Sequence, residues 1–94
     1  MTAEIEVQIE PKTGMAPRLT KRNPAANEFR FYQLGLWPDL FGGCNLVREF
    51  GRIGQPGCLK VTHFESSNAA RAALNALYRA KARRGYDLST RTSR

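Results

Sequence analysis

Acidic residues are scarce in this chain: eight Asp and Glu stand against fifteen Lys and Arg, a net charge of +7. Glu4, Glu6 and Glu10 fall within the first ten positions, which hold no base, so residues 11–94 carry 15 basic side chains against 5 acidic ones, a net +10. Long apolar runs are missing too. None approaches the ~20 residues that a membrane span requires, so no spanning helix and no membrane partner are expected. The opening residues show no basic stretch followed by an apolar one, so no secretory leader is expected and the cytoplasm is the expected location. One histidine and two cysteines without a Cys-x-x-Cys pair are too few for a zinc site. No Ser/His/Asp, Cys/His or paired-carboxylate grouping is legible, and no phosphate loop. No catalytic, metal-binding or cofactor-binding residue is assigned, and the expectation is a protein that is not an enzyme.

What is present fits one small domain. Ninety-four residues, 41% of them hydrophobic, suffice for a single core. A cationic body attracts polyanions, nucleic acid above all, with an anionic membrane surface or an acidic protein as rivals. The two cysteines are expected to stay reduced and buried. If Gly54–Gly57 forms a turn, Cys58 falls near Ile53 and Cys44 lies nine residues further along its strand. That is roughly 30 Å at ~3.3 Å per residue, whereas a disulfide needs Cα atoms within about 7 Å.

Residues 4–10 alternate acidic or polar with apolar, as an edge strand or extended arm would, and Pro11, Gly14 and Pro17 interrupt the pattern. Residues 1–17 therefore read as an acidic arm and linker, 18–87 as the domain and 88–94 as a polar tail. Within the domain a short extended segment at 18–22 precedes a turn at Asn23-Pro24. Strands are expected at 28–36, with Tyr32, Leu34 and Leu36 on one face, at 44–53, and at 58–64 after a Gly54–Gly57 turn. The loop from Trp37 to Gly43 carries three large apolar residues and is expected to fold them onto the sheet, with Trp37 a core or corner residue. His63 reads as a satisfied structural histidine among apolar neighbours. Residues 66–84 are alanine-rich, can be capped by Ser66 or Ser67 and stop at Gly85, which predicts a helix. Ala70, Ala73, Leu74, Leu77 and the stem of Lys81 form its packing stripe, and Tyr86 docks back on the sheet. The fold class is α+β: a small antiparallel sheet with one amphipathic C-terminal helix packed on a face.

From Arg22 to Tyr86 the order of features resembles the WGR domain, a module named for a Trp-Gly-Arg tripeptide and found in poly(ADP-ribose) polymerases and in short bacterial proteins. The residues that carry the likeness are Asn27, Phe31 to Leu34, Asp39 to Gly42, the run Leu46 to Gly54, Lys60, Phe64, the alanine-rich helix and Arg84-Gly85-Tyr86. Phe50 stands where the family has its tryptophan, and Cys44 where the bacterial members usually have an aromatic residue. The resemblance implies a half-open antiparallel sheet with one helix across it. In the polymerases it implies a module that contacts DNA near strand ends and neighbouring domains, with the tryptophan at the DNA end and the arginine coupling to other domains. Only the position of Phe50, Gly51 and Arg52 carries over, and with no ADP-ribosyl-transfer domain in this chain neither that activity nor NAD does.

Side-chain alternation puts Arg48, Phe50 and Arg52 on one strand face, an aromatic ring between two cations. Such a trio can set guanidinium groups on phosphates and a ring against a sugar or base. It can equally be a core phenylalanine beneath the helix, with two arginines solubilising a sheet edge and Gly51 admitting a close neighbour. The candidate nucleic-acid-binding set is Arg48, Phe50, Gly51, Arg52 and Lys60, with Arg83 and Arg84 at the helix end, and DNA is favoured over RNA. The alternative is a protein-interaction module or homodimer that uses the sheet edge and the acidic arm.

Overall fold

Alternating apolar positions in three successive segments dictate strands, and a computed structural model describing residues 8–88 shows them. The expected strand at 4–10 lies largely outside the described residues. In chain order the elements are β1 (Leu19–Asn23), a 3-10 turn (Pro24–Ala26), β2 (Glu28–Pro38), β3 (Cys44–Arg52), β4 (Cys58–Phe64), α1 (Ser67–Arg83) and β5 (Asp87–Leu88). They form one five-stranded antiparallel sheet in the order β4-β3-β2-β1-β5. The α+β class read from the sequence is the one observed. Asp87 and Leu88 extend the sheet beside β1, although Leu88 reads in the sequence as the start of a polar tail.

Helix α1 begins where Ser66 Oγ accepts a hydrogen bond from Ala69 N at 3.1 Å and stops before Gly85, whose φ of +99° only glycine adopts cheaply. Its buried residues are Ala70 and Leu74, both 0% exposed, and Leu77 packs half-buried beside them. They meet Leu34, Leu36, Cys44 and Leu46 from the sheet, and Tyr86 closes the far end as expected. Each fully buried leucine contributes about 1.5–3 kcal/mol from lost apolar surface, which makes this layer the main source of stability. The Tyr78 hydroxyl donates to Pro17 O at 2.6 Å, and burial pushes its pKa up to about 12.

The sheet's other face holds a second, smaller apolar site. Phe31 is 4% exposed although it points away from the helix, and the Arg18 guanidinium lies 4.2 Å above its ring. A Cβ on Gly57 would come within 2.6 Å of Phe31 Cζ and 2.8 Å of Phe50 O, and one on Gly51 within 3.1 Å of the Gly57 Cα. Glycine at these two positions lets the β3–β4 connection lie flat over the ring. Gly54 takes the positive φ expected in that turn, whereas Gly57 is there for space.

Three expectations are corrected. Residues 14–16, read as linker, join the sheet: Ala16 N donates to Leu34 O and Leu36 N to Gly14 O, both at 2.7 Å, and Ala16 is buried. Proline at 17 removes only its own N–H, so the chain resumes pairing on the other side of it. The β2–β3 loop does not fold onto the sheet. Leu40 is 93% and Phe41 91% exposed, because Asp39 closes the loop on itself by accepting from Phe41 N at 2.7 Å and Gly43 N at 2.9 Å. Trp37, next to last in β2, is a corner residue, 43% exposed, its Nε1 donating to Thr13 O at 3.1 Å. His63, expected among apolar neighbours, is exposed and held 3.0 Å from Asp39 Oδ2. The Phe41 N–H, then His63, hold the Asp39 carboxyl below its ordinary range.

Cys44 is buried, but Cys58 is exposed, because β4 pairs with β3 in the register Cys44↔Phe64 and Phe50↔Cys58. Six residues therefore separate the two thiols along the hairpin, roughly 20 Å rather than 30 Å, still far beyond disulfide reach. Thiol titration of the non-reduced, denatured monomer is expected to find two free thiols; an intramolecular bridge would contradict this register. Among the described residues no helix is long and apolar enough to cross a membrane.

Candidate nucleic-acid interface

The pairing of β2 with β3 sets Arg30, Tyr32 and Leu34 opposite Arg52, Phe50 and Arg48 on the helix side of the sheet. Leu34 is covered by α1, but the helix ends at Arg83 and leaves the rest of that face open. The result is a depression of about 730 Å³ with Tyr32, Phe50 and Tyr86 along its floor and Arg30, Arg48, Arg52 and Lys81 around it. Tyr32 and Phe50 stack with centroids 5.9 Å apart, and Tyr86 meets Tyr32 edge-on at 6.2 Å. Phe50 is thus half-buried, a core neighbour and a cleft wall at once.

Positive charge converges here. The Lys81 ammonium lies 4.4 Å from the Tyr32 ring centroid and 5.3 Å from that of Tyr86. Its pKa is pushed down by burial first, and then by the neighbouring cations Arg84, Arg30, Arg48 and Lys21. Among the described residues Glu28 is the one carboxylate lining the depression, and it is shared between Arg30 at 3.3 Å and Lys21 at 3.8 Å. One carboxylate does not neutralise five cations. An anion entering the cleft would offset their mutual repulsion and raise the basicity of Lys81.

Each residue named from the sequence has a definite place. Arg48 lines the cleft beside Phe50, and Lys60 is its cross-strand neighbour on β4, exposed and just outside. Arg52 is already engaged: its guanidinium donates to Asn27 O at 3.3 Å and Oδ1 at 3.2 Å and sits 5.3 Å from the Phe29 ring centroid. It braces the turn where Asn27 takes a left-handed φ of 53°, and lines the cleft with its exposed edge. Gly51 serves the close approach to Gly57. Arg83 and Arg84 are exposed at the helix end, and of the two Arg84 is near enough to act on Lys81.

Sequence reasoning missed Lys81, Arg30 and Lys21. The signal for Lys81 was its place at the end of the helix's apolar stripe, where a long stem packs and the ammonium emerges at the stripe's edge. For Arg30 and Lys21 the signal was alternation, since Arg30 lies two residues before Tyr32 and its β1 partner is Lys21. Among the described residues no cluster of His, Cys, Asp or Glu is placed to hold a metal ion.

A five-stranded antiparallel sheet with one helix covering part of a face, and a cation-ringed aromatic cleft on the remainder, defines a small basic α+β domain. The family model of the WGR domain matches residues 15–93, and the chain belongs to the WGR domain family. It is also 42% identical over 65 residues to the uncharacterized protein y4dW of Sinorhizobium fredii (strain NBRC 101917 / NGR234). That match covers 68% of this chain and 31% of the relative, so the chain spans under a third of that protein's length. No solved structure matches the chain.

Proposed function

We propose that this WGR domain is a non-enzymatic nucleic-acid-binding module that holds DNA, in preference to RNA, mainly through its phosphates. The observation that carries the reading is the convergence of Lys81, Arg30, Arg48, Arg84 and Lys21 on one aromatic-floored cleft that holds, among the described residues, a single carboxylate. Cations arranged in this way recognise phosphate, and stacked rings beside them accept a sugar or an end base. Membership of a family whose polymerase members contact DNA supports the same reading. Two thiols too far apart to bridge suit a reducing compartment, and we place the protein in the cytoplasm.

Gel shifts with blunt duplex, nicked duplex and single strands at two salt levels test this. Wild type is expected to shift duplex at low salt, and the folded Arg48→Ala/Arg52→Ala variant to bind more weakly with a salt slope lower by about one to two units. Phe50→Trp, which enlarges the flat wall, is expected to keep or tighten binding to duplex ends. Failure of the wild type to shift any nucleic acid at low salt sinks the proposal.

A further inference from the structure

The end of the molecule away from the cleft has a different character. Along the β2–β3 pair, Arg30↔Arg52 marks the cleft end and Pro38↔Cys44 the other, eight residues or roughly 26 Å away. There the β2–β3 loop holds Leu40 and Phe41 out into solvent, 93% and 91% exposed. The loop is fixed in this form by the Asp39 bonds to Phe41 N, Gly43 N and His63. Two large apolar side chains are thus presented on a polar-braced tip, well above the exposure that packing or solubility asks of them.

Beside the tip lies a depression of about 470 Å³ with an apolar wall of Ile9, Leu36, Trp37 and Pro38 and a polar rim that includes Lys12 and Arg71. An apolar knob and a hollow with an apolar wall therefore occupy the same end of one molecule. That is the requirement for a two-fold contact, in which each copy's knob enters the other's hollow. Charge favours the same partner. Among the described residues around the tip, Glu10, Asp39 and Glu65 offset Lys12 and Arg71, whereas the surplus positive charge lies at the cleft end. A nucleic acid or an anionic membrane would be drawn to the cleft end, but a second copy can meet the near-neutral end with both cationic ends turned away.

We infer that the chain self-associates as a two-fold dimer through the Leu40–Phe41 tip, each tip seated in the hollow beside Trp37 and Pro38 of the other copy. Dimerisation does not depend on the nucleic-acid reading. Its consequence, two phosphate-binding clefts facing opposite ways, rests on that reading and would let one dimer hold two duplexes. Because the contact is apolar and the bodies repel, higher salt should leave the dimer unchanged or tighten it.

Sedimentation velocity of the full chain tests the inference, run over an about hundredfold concentration range at low and high salt beside the Leu40→Ser/Phe41→Ser variant. The wild type is expected to rise from monomer to twice the monomer mass with concentration and to hold that mass at high salt. The variant, whose circular dichroism should match because both side chains are exposed, is expected to stay monomeric while binding a short duplex as wild type does. A wild type that stays monomeric throughout, or a variant that dimerises equally well, overturns the inference. So does a monomeric wild type that sediments with anionic vesicles through Leu40 and Phe41, which would make a lipid surface the occupant. Loss of duplex binding with dimerisation intact would count against the cleft reading alone.

Discussion

Leu74→Ala is expected to lower stability by about 2–5 kcal/mol, the cost of truncating a fully buried core leucine. Leu74 is 0% exposed at the centre of α1, between the helix and the sheet residues that form the main core. Ala70, one turn earlier and equally buried, adds little apolar area, so no neighbour on the helix replaces the lost contacts. Backbone so close to the sheet cannot collapse further into the space a leucine leaves. With total stability of about 5–15 kcal/mol typical of such domains, the change should be plain in urea unfolding as a lower midpoint with an unchanged slope. A loss below about 1 kcal/mol would mean the helix is not packed through this residue. Leu77→Ala, by contrast, removes a half-buried side chain and should cost less.

Lys81→Glu is expected to weaken duplex binding roughly tenfold or more at low salt, because it puts a negative charge at the point where the other cations converge. Arg79→Glu makes the same change in net charge on the exposed side of the same helix, outside the cleft. If phosphate is held in the cleft, the Arg79 variant should lose much less affinity. Equal losses from the two variants in fluorescence anisotropy would show that overall charge, and not the cleft, governs binding. Reversal at 81 relieves repulsion among the cations but gives up the ring contacts to Tyr32 and Tyr86, so the fold of the variant is checked by circular dichroism.

Most of the frame was legible because its signals are periodic. Tyr32, Leu34 and Leu36 alternate, Ala70, Leu74 and Leu77 recur at helical spacing, and Ser66 and Gly85 punctuate the helix where they were expected to. What escaped depended on contacts that no local pattern encodes. An apolar pair in a short loop reads as side chains turning inward, yet one aspartate that satisfies two loop N–H groups and a histidine makes the loop self-sufficient and turns them outward. Phe31 lies on the face opposite Tyr32, Leu34 and Leu36, which no local pattern marks as covered, and glycines at 51 and 57 and the Arg18 guanidinium bury it.

The site was legible in its anchor and not in its extent. Alternation placed Arg48, Phe50 and Arg52 on one face, and the two readings of that trio turn out to share residues: Phe50 packs on Tyr32 and also walls the cleft, while Arg52 braces Asn27. Lys81 and Arg84 come from the helix end and Lys21 from β1, so their convergence with Arg48 required the tertiary fold.

The most direct measurement of the central claim is the affinity of the wild-type protein for a short blunt DNA duplex across a salt series. If several cleft cations each neutralise a phosphate, log affinity should fall linearly with log salt at a slope of about −3 to −5. A slope near zero, or no binding at the lowest salt, would contradict phosphate recognition by this domain.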